Sequence, residues 1–162
     1  MLLTGKSFKI AIVAEELIVC GWVATCTTNL ASALAKIGYD VTLVALNRPE
    51  VELRWQQGLC TVFFGTPVPL RILSEFLDMF DAVIVSNGVV FPFAFEAARH
   101  TLRPLIVEWL HGEVKARQCP AVDLTVAVSE AVYRKMHPAE HDVVIPNGVD
   151  LCKFHPPLYK TR

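Results

Sequence analysis

The sequence lacks any uninterrupted apolar run that approaches the ~20 residues a helix needs to cross a bilayer. Its N-terminus does not have the layout of a signal peptide, because Lys6 and Lys9 interrupt the first apolar stretch. Positive charge is not concentrated either: 15 Lys and Arg residues stand against 16 Asp and Glu residues, for a net charge of −1. Nucleic-acid binding therefore has no electrostatic support. These absences predict a cytoplasmic protein and leave peripheral membrane contact open.

Cysteine and histidine are present, but not in arrangements typical of a metal site. The five cysteines are an odd number without metal-type pairing, which fits free thiols in a reducing compartment better than a disulfide framework. His137 and His141 have i, i+4 spacing, but Pro138 between them argues against one continuous helix that presents both to an ion. No spacing defines a Ser-His-Asp or Cys-His catalytic arrangement. We therefore expect no metal and no cofactor.

The sequence does contain a regular alternation of strand and helix patterns over its 162 residues, of which 53% are apolar. The first unit is a strand (8–14), a glycine-bearing loop, a helix (23–37) closed by Gly38, and a second strand (40–46), which together form a βαβ unit. Further strands are predicted at 59–64, 81–86, 104–109, 123–128 and 142–145, and further helices at 70–79, 92–100 and 129–136. This pattern predicts one α/β domain, Rossmann-like and doubly wound, with a mainly parallel sheet of about seven strands and helices on both faces.

In such a sheet the ligand crevice lies at the carboxyl ends of the strands, so the loop after the first strand is the first candidate site. Gly21 comes just before the first helix, where backbone amides favour an anion such as phosphate. The loop alone favours a simpler interpretation, in which Gly21 only permits a tight turn, since no G-x-G-x-x-G is present. Trp22 would also crowd a pyrophosphate. Glu15 and Glu16 either bind substrate hydroxyls or are simply solvated.

A histidine follows the fifth predicted strand. His111 precedes Gly112, so it either reaches a ligand in the crevice or is an ordinary surface-loop histidine. Glu108, near the end of the same strand, either lies at the rim of the crevice or has a structural role.

The most specific string follows the last predicted strand, and it is Pro146-Asn147-Gly148-Val149-Asp150, with Val144-Ile145 before it and Phe154 and Pro156 after it. As local chemistry it is a rigid turn, because proline fixes the approach and Asn-Gly suits positive φ. The string also resembles the junction between the two domains of retaining GT-B glycosyltransferases of family 4. Four other pieces resemble that family in the same order, at residues 21–31, 38–44, 111–112 and 123–130.

The resemblance implies the N-terminal, acceptor-side half of such an enzyme. Residues 1–150 would form the Rossmann-like domain, and residues 151–162 an interdomain linker or tail, with the C-terminal donor-binding domain absent. Pro146, Asn147, Gly148 and Asp150 would form the interdomain hinge.

The resemblance also implies site roles. It assigns His111 to catalysis, in contact with the donor sugar. The predicted substrate- or phosphate-binding residues are Gly21, Trp22, Glu15, Glu16, Asn87 and Gly112. Two positions depart from the family: a second glycine is usual where Trp22 stands, and a histidine is common after the fourth strand, where this chain has Ser86-Asn87-Gly88.

The implied activity is transfer of a sugar, with retention, from a nucleotide-diphosphate sugar to an acceptor that is a glycan, a lipid or a small molecule. Because the donor-binding half is absent, we expect this chain alone to be inactive. The alternatives are a stand-alone acceptor-binding or interaction module, one half of a split enzyme, and an unrelated nucleotide-binding Rossmann domain.

Overall fold

The computed structural model describes residues 7–15, 17, 21–47, 59–65, 70–86, 104–112, 122–135 and 142–148. The centre of the described part is a sheet of seven strands, which are β1 (Lys9–Ala14), β2 (Asp40–Ala45), β3 (Cys60–Phe63), β4 (Ala82–Ser86), β5 (Leu105–Leu110), β6 (Leu124–Ala127) and β7 (Val143–Val144). Their order is β3-β2-β1-β4-β5-β6-β7, and every neighbouring pair is parallel. The strand order reverses between β1 and β4, so the predicted doubly wound fold is confirmed.

The apolar strands at the centre of the sheet bury side chains on both faces, as strands of parallel sheets do. In β1, Ile12 pairs with Leu43 on one side and Ile84 on the other. Its even-numbered residues belong to one hydrophobic cluster, while Ala11 and Val13 belong to a second cluster on the opposite face. Two core layers therefore hold the sheet between helices.

Helix α1 (Trp22–Lys36) covers the first face and lies closest to β1 and β2. It buries small side chains, which let the helix approach the sheet closely, and these are Ala24, Thr27, Thr28 and Ala31. Gly38, with φ of 103°, follows the helix. Its N–H donates to the carbonyl of Ala35 at 3.0 Å, and the N–H of Tyr39 donates to that of Leu34 at 3.2 Å. This is a Schellman motif, so the predicted helix end at Gly38 is confirmed.

Two shorter helices lie on the second face, α2 (Leu70–Leu77) and α3 (Glu130–Lys135). Leu73 and Leu77 of α2 are fully buried in the cluster that contains Val13. At the start of α3 the Ser129 hydroxyl accepts a hydrogen bond from the N–H of Val132 at 3.2 Å, so Ser129 is the N-cap of this helix. Helices thus lie on both faces, as predicted.

Three aspartate carboxylates accept hydrogen bonds from backbone N–H groups at the amino-terminal edge of the sheet. Each one precedes a strand, and its carboxylate accepts a hydrogen bond from a backbone N–H of the neighbouring strand. The pairs are Asp81 with Lys9 at 2.8 Å, Asp123 with Ile106 at 2.8 Å, and Asp142 with Thr125 at 3.2 Å. These three carboxylates therefore hold neighbouring strands together.

Most element boundaries differ from the predicted ones by one or two residues. Strand β5 extends to Leu110 because that residue pairs with Ala127 of β6. The helix predicted at 92–100 lies outside the described residues, and the division of the chain at residue 150 stays a prediction. Among the described helices, none combines the length and the apolar character that crossing a membrane requires.

Candidate functional site

The start of α1 and the end of β5 meet at the carboxyl edge of the sheet. Trp22, the first residue of α1, packs its indole against the imidazole of His111, which directly follows β5. The ring centroids are 5.1 Å apart, and the rings are nearly perpendicular at 85°. The Gly21-Trp22 pair and His111, distant in the sequence, therefore lie side by side.

His111 is not a surface-loop histidine, since only 5% of it is exposed. The indole of Trp109, two residues earlier in the chain, also packs against the imidazole, with ring centroids 4.1 Å apart and an interplanar angle of 53°. Burial lowers the pKa of His111 from 6.5 to about 4, because the cation would lose its hydration. At neutral pH the side chain is therefore an uncharged hydrogen-bonding group.

A chain of three buried polar side chains ends at His111. The Thr27 hydroxyl of α1 lies 3.1 Å from the hydroxyl of Ser86, the last residue of β4. The Ser86 hydroxyl lies 3.2 Å from Nε2 of His111. The other ring nitrogen, Nδ1, is buried and has no hydrogen-bond partner in the described part of the chain. The imidazole is thus held through Nε2, while Nδ1 is buried without a hydrogen-bond partner among the described residues.

Among the described residues, no side chain caps or neutralises the positive dipole end at the N-terminus of α1. Gly21 is the N-cap residue, with extended backbone (φ −85°, ψ 131°) and no side-chain cap, and the first turn holds no acidic residue. Free amides at such an end attract anions. Trp22 is 55% exposed at the same place, so a large apolar surface stands beside these amides.

A groove of about 830 Å³ runs along α1 on the same face of the sheet. One wall is α1 from Cys26 to Lys36, and the other is the segment after β7 that contains Asn147 and Gly148. The floor is apolar and formed by Ile84, Val107, Trp109 and Val126. Trp109 contributes to this floor and also contacts His111, so the histidine lies directly beside the groove.

The other predicted site residues lie in different parts of the structure. Glu15 is half-buried at the end of β1, and its backbone carbonyl accepts a hydrogen bond from Asn47 at 2.9 Å. Gly112 is adjacent to His111, and an added Cβ would meet no atom within 4 Å. Pro146 is exposed beside Asn147 at the groove. Three predicted site residues lie outside the described part, and they are Glu16, Asn87 and Asp150.

Of the two alternatives for Glu108, a rim position is wrong. The residue is only 3% exposed, because strand alternation places it on the same face as Ile106, in the β5 strand. It has an interaction partner within the fold. Its role is therefore structural.

Sequence reasoning missed Thr27, Ser86 and Trp109 as parts of this site. Ser86 is a polar residue that ends an otherwise apolar strand, and Thr27 lies on the buried face of a helix. These two positions were the signals in the sequence that could have indicated a polar site. Only the order of the strands in the sheet shows that both side chains lie beside His111. Within the described ranges, no group of three or more His, Cys, Asp and Glu side chains is placed to hold a metal ion.

Residues 23–153 match the family model described as Glycosyltransferase Family 4, and this match identifies the family of the chain. The chain belongs to glycosyltransferase family 4. No curated protein sequence matches this family 4 chain. The matched region contains residues 23–36 of α1, Ser86 and His111, while Gly21 and Trp22 lie just before it.

Solved structures similar to this family 4 domain are those of glycosyltransferases. HepE of Anabaena, in complex with UDP and glucose, is similar over 90% of this chain and 46% of its own length, with TM-score 0.70 and 14% identity. The lipopolysaccharide outer core galactosyltransferase WaaB is similar over 96% and 50%, with TM-score 0.70 and 14% identity. MurG of Acinetobacter baumannii is similar over 88% and 47%, with TM-score 0.63 and 14% identity.

At this identity the likeness shows the fold, which is that of a domain of GT-B glycosyltransferases. The family 4 chain spans about half the length of each of these neighbours. That coverage agrees with the predicted N-terminal half of a two-domain enzyme.

Proposed function

We propose that this chain is the acceptor-side half of a retaining glycosyltransferase that transfers a sugar from a nucleotide-diphosphate sugar to an acceptor. The observation that carries the proposal is the position of His111. It lies at the carboxyl edge of a family 4 domain, beside the uncapped start of α1, with Nδ1 buried and without a partner in the described residues. A buried polar atom without a partner costs free energy, which a substrate oxygen would recover.

The neutral state of His111 restricts what it does in such a reaction. With its pKa lowered to about 4, the imidazole does not carry the positive charge that would neutralise a diphosphate at neutral pH. Its contribution is a hydrogen bond that orients the transferring sugar against the acceptor. Alignment of two bound substrates is a large part of the rate enhancement of group transfer.

The start of α1 would serve the anionic parts of the substrates. Its free amides favour a phosphate of the donor or an anionic acceptor, while Trp22 narrows the approach. Stabilisation of the leaving diphosphate needs further donors and charges, which we assign to a donor-binding half outside these 162 residues. We therefore expect no transfer by this chain alone.

A turnover assay tests the proposal. The purified chain is incubated with a panel of nucleotide-diphosphate sugars and acceptors, alone and mixed with a separately produced donor-binding half. We expect transfer only in the mixture and its loss in the mixture made with His111→Gln. Exposed Ile72→Ala, on the opposite face of the fold, is the matched control and should keep full activity. Sugar transfer by the chain alone would contradict the expectation that the chain is inactive without a donor-binding half.

A second candidate function is a stand-alone acceptor-binding or interaction module, for which the groove of about 830 Å³ along α1 would be the binding surface. Binding of an acceptor by the chain, with no transfer in any mixture, would favour this candidate. Tight binding of a free nucleotide by the chain alone would favour a nucleotide-binding Rossmann domain over both.

A further inference from the structure

We infer that Ser86 and Thr27 are positioning residues that keep the proton of neutral His111 on Nδ1, so that this nitrogen donates a hydrogen bond to a substrate oxygen. The inference rests on the proposed function for the identity of the substrate, a sugar or phosphate oxygen. The proton position itself follows from the geometry of the three side chains.

The argument begins with the hydroxyl of Thr27. Thr25 and Thr28, its neighbours in α1, donate their hydroxyl protons to carbonyls four residues earlier, at Gly21 and Ala24. In the described residues, the hydroxyl of Thr27 instead meets only the Ser86 hydroxyl, at 3.1 Å. Thr27 is 0% exposed, so water does not take its proton.

Two directions of donation along the chain are conceivable, and they differ in the number of unsatisfied atoms. If Thr27 donates to Ser86 and Ser86 donates to Nε2 of His111, only the Nδ1–H remains without a partner. If His111 donates from Nε2 and Ser86 donates to Thr27, the hydroxyl proton of Thr27 and the lone pair of Nδ1 both remain unsatisfied. Each buried unsatisfied polar atom is costly, so the first direction is favoured.

The first direction has a chemical consequence. Nε2 acts as the acceptor, and Nδ1 carries the proton, which is the opposite of the tautomer that free neutral histidine prefers. A ligand at Nδ1 must then offer a lone pair, as hydroxyl and phosphate oxygens do. Trp22 and Trp109 pack against the ring, which hinders its rotation about the Cβ–Cγ bond and so keeps Nε2 beside the Ser86 hydroxyl.

Nitrogen NMR of the intact chain at neutral pH tests the inference. Long-range ¹⁵N–¹H spectra identify which ring nitrogen carries the proton, and His111→Gln identifies the signals of this histidine among the five. We expect the proton on Nδ1 in the unmodified chain. A proton on Nε2 overturns the inference, whether or not the chain proves to be a transferase.

Substitutions separate positioning from packing. Thr27→Val keeps the shape of the side chain but removes the first donor, and Ser86→Ala removes the link to Nε2, so both should shift the population toward the Nε2–H tautomer. Ser86→Thr restores a hydroxyl and should restore the Nδ1–H form. Thr28→Val is the matched control, because it removes a buried hydroxyl of the same helix that bonds only its own turn. An unchanged tautomer in Thr27→Val contradicts the role of Thr27 even if the Ser86→Ala chain does not fold.

A second readout uses the mixture with a donor-binding half. We expect Ser86→Ala to lower kcat/KM about tenfold, the effect of one lost hydrogen bond of about 1.4 kcal/mol. Ser86→Thr should recover most of that loss. If the mixture transfers no sugar but His111 carries its proton on Nδ1, the proposed function is refuted and the inference about the tautomer is not. Full activity of Ser86→Ala with an altered tautomer refutes the positioning role.

Discussion

The indole of Trp22 stands edge-on to the imidazole of His111, with ring centroids 5.1 Å apart. This contact joins the first turn of α1 to the end of β5, across the point where the strand order of the sheet reverses. A glycine is usual at the position of Trp22 in the family that the sequence resembles. The indole therefore covers a histidine that a glycine would leave open.

We expect Trp22→Gly to raise the pKa of His111 from about 4 toward its ordinary value of 6.5, because water gains access to the ring. The free energy of unfolding should change by only about 1 kcal/mol, since Trp22 is 55% exposed and little packing is lost. Titration of the imidazole signals by NMR measures the pKa. Ile72→Ala, also an exposed apolar residue of a helix, should leave it unchanged. A pKa that stays near 4 would show that Trp109 and the strands alone bury the ring.

The lowered pKa of His111 also predicts how stability depends on pH. Above pH 6.5 the histidine is neutral in the folded and unfolded chains, so it adds no pH dependence. Between pH 6.5 and about 4 the unfolded chain binds a proton that the folded chain does not, so the free energy of unfolding falls as the pH falls. Urea denaturation over this range measures the slope. His111→Gln should have a smaller slope, and equal slopes in both chains would contradict the assignment.

The alternation of apolar runs and helical periods was sufficient to predict the sheet, because strands buried on both faces have few other interpretations. The C-terminal end of α1 was predictable from Gly38, since a helix that closes in this way needs a residue that tolerates positive φ. The partners of His111 were not predictable. Thr27 and Ser86 are ordinary residues of a helix and a strand, and they meet only because β1 and β4 are adjacent in the sheet. Local patterns carry no information about such adjacency.

The aspartates at the amino-terminal edge predict a loss of stability without a change at the site. Asp81→Ala leaves the N–H of Lys9 without the acceptor that it has at 2.8 Å, which should cost about 1–3 kcal/mol. Glu75→Ala is the matched control: it removes an exposed carboxylate paired with Arg71, and such a pair is worth about 0.3–0.5 kcal/mol. Urea denaturation compares the two variants. The NMR signals of His111 should be the same in both, because the substitutions lie away from the carboxyl edge.

The closing turn of α1 gives the last prediction. Gly38 has φ of 103°, a conformation that side chains with a Cβ rarely adopt, although an added Cβ would meet no atom within 4 Å. Gly38→Ala should therefore destabilise the chain by about 1–2 kcal/mol through backbone strain alone. Gly148→Ala is the control, since its Cβ also meets nothing and its φ lies outside the positive range. Thermal or urea unfolding of both variants measures the difference. A Gly38→Ala chain as stable as the Gly148→Ala chain would mean that the turn after α1 relaxes to a negative φ, and that the hydrogen bonds from Gly38 and Tyr39 to the end of the helix contribute little to its stability.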